Sequence, residues 1–125
     1  MDAALLLYTA CQFMASRSTI EDMDRIAMLT QLLEQHPTDA FARYGLAMAL
    51  VGDGKTEAAL EQFSALIAHN PDYVPGYQMS AQTLAKQGRT EEAVERLRAG
   101  LEAAARTGNQ HADSEMQGML DELGG

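Results

Sequence analysis

The stretch PTDAFARYGLAMALVGDGKTEAALEQFSALIAHN, Pro37 to Asn70, decides the fold. The next stretch, PDYVPGYQMSAQTLAKQGRTEEAVERLRAGLEAA, Pro71 to Ala104, lies over it without a gap. Pro37 meets Pro71, Ala47 meets Ala81, and Leu50 meets Leu84. Gly54, Thr56, Glu57, Ala59, Glu61 and Ala65 meet Gly88, Thr90, Glu91, Ala93, Glu95 and Ala99. Lys55/Arg89, Leu60/Val94 and Phe63/Leu97 match conservatively. Self-similarity at a period of this length marks stacked supersecondary units, each too small to bury its own apolar face.

One unit can be read from its punctuation. A first helix runs to about Val51, or Ala85 in the second copy. Gly54 and Gly88 end it, since glycine tolerates the left-handed conformation at a helix terminus. Thr56 and Thr90 are then placed to cap a second helix, with glutamates in its first turn complementing the helix dipole. Ala59 and Ala93 are small where two helices approach closely, and Phe63 and Leu97 fill the next turn of the same face. Pro71 closes the first unit, because helices seldom run through the residue before a proline. This reading predicts helices near 39–52, 56–69, 73–87 and 90–106, in an all-α chain.

The residues resemble the tetratricopeptide repeat family. The first unit supplies Leu46, Ala47, Leu50, Gly54, Ala59, Phe63 and Pro71, and departs at Arg43, where an aromatic is usual. The second supplies Tyr77, Ala81, Leu84, Gly88, Ala93 and Leu97, and departs at Ser80 and at Ala105, where a closing proline is usual. The resemblance implies a right-handed superhelical stack of antiparallel helix pairs that binds another protein or peptide. In that family the first helix of each pair lines a concave surface that holds peptide. If the stacking carries over, Phe41, Tyr44, Met48, Gln78, Met79, Gln82 and Lys86 are the candidate groove, apolar in the first unit and amide-rich in the second. The competing reading packs Phe41, Tyr44 and Met48 against the preceding helix pair. Some family members grip the carboxylate tail of heat-shock chaperones with Lys, Arg and Asn. Here Lys86 is the one basic groove residue and no Asn accompanies it.

The flanks read as helices as well, within a single domain of residues 1–125. Residues 1–36 form a degenerate helix pair, 37–70 and 71–104 the two repeats, and 105–125 a capping helix. Ser18 with Glu21 makes a capping box ahead of Ile20 to His36. Residues 3–14 are apolar on nearly every side, which motivates the alternative function: self-assembly as a homodimer through this helix. Ala112, Met116, Met119, Leu120 and Leu123 share one face of the last helix, opposite Asp113, Gln117, Asp121 and Glu122. Met23, Met28, Met116 and Met119 are read as flexible core filler.

Composition excludes several function classes. With 9 basic and 18 acidic residues the formal charge is −9, and no basic stripe is present to meet phosphate, so nucleic acid is not an expected partner. The apolar segment at residues 3–15 is short of the roughly 20 residues that span a bilayer and follows Asp2, so a membrane is not expected and the chain is read as cytoplasmic. A lone Cys11 makes no intramolecular disulfide or cysteine-based zinc site, and His36, His69 and His111 read as separate helix-terminal residues. GDGKT at Gly52 to Thr56 lacks the earlier glycine and the preceding strand of a phosphate loop, and Ala49 stands where that glycine belongs. Paired carboxylates such as Glu91/Glu92 and Asp121/Glu122 are adjacent on their helices and do not oppose each other across a site. The expectation is no enzyme, no cofactor and no metal.

Overall fold

A computed structural model describes residue 21 and residues 23–125. The expectations placed on residues 3–16, on Cys11 and on the Ser18 capping box lie outside the described residues. The described chain is helical, with no strand among the described residues. We label the helix over 23–35 α1. It is followed by α2 (Ala40–Gly52), α3 (Thr56–His69), α4 (Val74–Lys86), α5 (Thr90–Thr107) and α6 (Gln110–Leu123). The four repeat helices start and stop within one residue of the positions read from the sequence.

Glycine ends α2, α4, α5 and α6 by one repeated device. Gly54, Gly88, Gly108 and Gly124 all have φ between 68° and 78°. After α2, the Gly54 N–H donates to the Val51 carbonyl at 3.1 Å and the Lys55 N–H to the Leu50 carbonyl at 2.9 Å. The same bond pair recurs at Gly88/Arg89, Gly108/Asn109 and Gly124/Gly125. This is the closure that satisfies the orphan carbonyls of a helix end. It also corrects the capping expectation. Lys55 and Arg89, not Thr56 and Thr90, occupy the N-cap positions, and neither makes a side-chain cap bond. The residue after each glycine closes the old helix and opens the next, so the threonines fall one position inside. Side-chain caps appear instead at Asp39 and Asn109, which accept from the Ala42 and Ala112 N–H groups at 3.0 Å.

The two second helices differ in length for a reason visible in the chain. Pro71 follows the 14-residue α3, whereas Ala105 allows the 18-residue α5 to continue to Thr107. The added turn brings Arg106 back over the preceding connection. Its Nε donates to Asp72 Oδ1 at 2.9 Å and its Nη2 to the Pro71 carbonyl at 3.1 Å.

Packing follows chain order: α2 on α3, α3 on α4, α4 on α5, and α5 on α6. Ala59 and Ala93 have no exposed surface, as close helix approach requires, and Phe63 and Leu97 are also fully buried. Ile26, Leu29 and Leu33 of α1 join the first core cluster, with Leu29 seated 3.6 Å from where Gly45 would carry a Cβ. That i, i+3, i+7 stripe leaves Met23 and Met28 outside the core, 55% and 61% exposed, contrary to their reading as core filler. Met116 is fully buried as expected.

Size matching between units is tight. Leu66 in α3 packs toward Gly76, where an added Cβ would stand 3.0 Å from Leu66 Cδ2. One repeat later Gly100 stands where Leu66 did, and a Cβ there would stand 2.7 Å from both Met116 Sδ and Tyr77 Cβ. Gly100→Ala should therefore destabilise the fold by about 1–2 kcal/mol, the overpacking cost outweighing the gain in helix propensity. Thermal melting checks this, and an unchanged or raised midpoint would contradict it.

Candidate protein-binding groove

The seven candidate groove residues stand on α2 and α4, the first helices of the two pairs. The structure separates these residues into three groups. Phe41, the second residue of α2, is 79% exposed. Tyr44, Met48 and Met79 are half-buried and pack against the first core cluster. Gln78, Gln82 and Lys86 of α4 line an open cleft of about 360 Å³ with Ala85 of the same helix and Met119, Glu122 and Leu123 of α6.

Tyr44 is the most constrained of the seven. Its ring meets the buried Phe63 edge-on, with centroids 6.4 Å apart, and Tyr73 at 5.7 Å. Burial raises the Tyr44 phenol above its ordinary range. The Tyr73 phenol is raised first by burial and then by Tyr44 and Asp39 nearby. Both therefore remain neutral at physiological pH and offer a hydroxyl, not a charge. Tyr44 fills space near the helix pair, where the family pattern has an aromatic at Arg43. Arg43 instead donates from Nη1 to Gln62 Oε1 at 2.8 Å and from Nη2 to the Pro37 carbonyl at 2.9 Å, tying α2 to α3 and to the preceding turn. Ser80, the other departure, is fully buried and its hydroxyl lacks a hydrogen-bond partner. This accounts for a local loss of core apolarity and for nothing in the groove.

Sequence reasoning missed the contribution of α6. Met119 and Leu123 were assigned to the core face of a cap, and both are half-buried, but they also form the far wall of the cleft. Glu115 on the same helix accepts from Gln78 Nε2 at 2.6 Å and pairs with His111 at 2.7 Å, so α4 and α6 are joined across the groove side. The apolar spacing of α6 was visible. Its position beside α4 depends on the extra turn of α5, which the missing proline at Ala105 signals.

No cluster of three or more metal-ligating side chains occurs among the described residues. No helix among them is long and apolar enough to cross a membrane. The α4–α6 cleft offers an open surface of apolar, amide and charged groups.

Antiparallel helix pairs repeated in order, each turning on the same glycine motif between its two helices, define a helical-repeat solenoid. The chain belongs to the tetratricopeptide repeat family, whose model matches residues 26–80 and 50–119. A comparison with curated protein sequences finds no match. Among solved structures, the chain is similar to a tetratricopeptide repeat domain protein from Salinibacter ruber, at 31% identity and a TM-score of 0.66, covering 70% of this chain and 88% of that one. It also superposes on the TPR2B domain of yeast Sti1 in its complex with pHsp70, at 19% identity and a TM-score of 0.74. That match covers 86% of this chain and 89% of that one. PcrH in complex with the chaperone binding region of PopD is similar at 15% identity and a TM-score of 0.76, covering 98% of this chain and 93% of that one. At these last two identities the likeness is one of fold: the right-handed stack of antiparallel helix pairs that the sequence implied. Tetratricopeptide repeats generally mediate protein–protein interaction and typically serve as non-enzymatic scaffolds.

Proposed function

We propose that the chain is a protein-interaction module that holds a peptide or extended segment of a partner protein on its concave side. The groove would run from Phe41, Tyr44 and Met48 to Gln78, Met79, Gln82 and Lys86. The observation that carries this reading is the open cleft between α4 and α6. Three of the seven residues predicted from sequence line that cleft, and a fourth is largely exposed. An exposed aromatic is a strong anchor when a partner covers it, and flanking amides can meet the backbone of an extended segment. Complexes of similarly folded domains with pHsp70 and with the PopD chaperone binding region support this use of the scaffold. A cytoplasmic setting and a single domain spanning residues 1–125 belong to the same proposal.

The test uses residues that do not hold the core. Phe41→Ala with Gln82→Ala should change stability by no more than about 0.5 kcal/mol per site, because both side chains are exposed. Binding should weaken by about 1–2 kcal/mol or more if Phe41 is an anchor. A pull-down with the wild-type chain supplies the partner, and titration of that partner against both forms supplies the comparison. Equal affinity for the double variant would remove the groove reading.

A second reading is favoured by the exposed apolar side chains of α1, where Met23, Met28 and Leu32 are 55%, 61% and 39% exposed. Such a surface suits self-assembly as a homodimer, with the apolar N-terminal segment as the contact. Molar mass by light scattering should then rise with concentration. A constant monomer mass would exclude it.

A further inference from the structure

The α4–α6 cleft has a dipolar rim over an apolar floor. Ala85, Met119 and Leu123 are half-buried and form the floor, while Lys86 on the α4 wall and Glu122 on the α6 wall are exposed. Neither Lys86 nor Glu122 makes an ion pair or hydrogen bond through its side chain with any described residue. Two pairs of charges that reach between repeats are matched: Arg89 with Glu57, and Arg106 with Asp72. The cleft thus presents one unmatched cation on its α4 wall and one unmatched anion on its α6 wall, with Gln82 one turn before Lys86 on α4 as an amide donor and acceptor and Gln78, two turns before it, donating to Glu115.

We propose that this cleft takes an extended peptide segment with one apolar side chain on the floor, an acidic residue facing Lys86 and a basic residue facing Glu122. The inference rests on the concave-side reading above and names the chemistry of its occupant. Side chains of an extended segment alternate in direction. If the apolar residue points to the floor, the residues two places before and after it point the same way. At about 3.3 Å per residue those two positions lie roughly 13 Å apart, enough to reach the outer edges of two neighbouring helices. The charges therefore belong two residues on either side of the apolar one. A segment carrying one sign of charge at both positions would meet repulsion at one wall.

The experiment is an NMR titration of the full chain, isotope-labelled, with blocked five-residue synthetic peptides. The test peptide is Glu-Ser-Leu-Ser-Lys. The controls carry Glu at both ends, Lys at both ends, Gln at both ends, or Ser in place of the central Leu. The amide signals of residues 78–86 and 119–123 should move with the test peptide. Its affinity should exceed that of the Gln-ended control by roughly five- to twentyfold, since each exposed ion pair contributes up to about fivefold. Lys86→Gln and Glu122→Gln should each remove about fivefold, and their spectra report directly that they remain folded. Equal affinities for the test and Gln-ended peptides, with shifts still confined to the cleft, would overturn the charge assignment and leave the groove standing. Shifts elsewhere, or none at all, would overturn both the assignment and the use of this cleft as a groove.

Discussion

Phe63→Ala should lower the unfolding free energy by about 3–5 kcal/mol, the range for removing a large aromatic from a packed core. Phe63 has no exposed surface and lies in the first core cluster, which draws residues from α1, α2, α3, α4 and α5. Its loss would empty the space beneath Tyr44, whose ring meets it edge-on at 6.4 Å, so the aromatic contact of about 0.5–1.5 kcal/mol goes as well. Domains of this kind are stable by only about 5–15 kcal/mol, so the variant should sit close to the limit of folding. Phe63→Leu makes the informative control, because Leu97 fills the equivalent position one repeat later and is itself fully buried. That change should cost much less than Phe63→Ala. Urea melts of the three forms measure both effects. A loss below about 1.5 kcal/mol for Phe63→Ala would show that α2 and α3 collapse onto the vacated space, and the account of this core would have to change.

Ala93→Glu should be at least as damaging, by a different route. Ala93 has no exposed surface and belongs to the cluster shared between the two repeats. A carboxylate forced there has no basic partner within the cluster, and an uncompensated buried charge costs about 3–5 kcal/mol. Ala93→Leu separates volume from charge and should cost about 1–3 kcal/mol through overpacking alone. The charged variant should also be sensitive to pH. Burial raises the carboxyl pKa, so the folded form binds a proton more readily than the unfolded chain, and the penalty shrinks as the pH falls toward that raised value. Melting curves at neutral and mildly acidic pH should therefore converge for Ala93→Glu relative to wild type, whereas Ala93→Leu should show no such trend. If Ala93→Glu melts within a few degrees of wild type at neutral pH, the side chain has an exit to solvent and this position is not the helix contact described.

Much of the fold was legible because its determinants are local. Gly54 and Gly88 announce helix ends through a backbone conformation that needs no tertiary partner. Ala59 and Ala93 recur at the repeat period, so their burial follows once helix pairs are recognised. The candidate groove was less legible. Phe41 and Tyr44 lie three residues apart on one helix and were read together, yet one is 79% exposed and the other is held by Phe63 and Tyr73. Helical phase places both on neighbouring parts of the surface, and only the packing of α3 and the α3–α4 connection beside α2 tells which is covered.

The sequence by itself determined the all-α class, the repeat, the helix limits and the identity of the small residues between helices. These depend on propensity, punctuation and period, which are properties of a few consecutive residues. Tertiary structure alone decided which apolar side chains remain outside the core, how Gly100 admits Tyr77 and Met116, and where the open cleft lies. Lys86 and Glu122 are far apart in the chain, and nothing local relates them. They share one cleft because α5 continues past Ala105, Gly108 turns the chain, and α6 comes to rest beside α4.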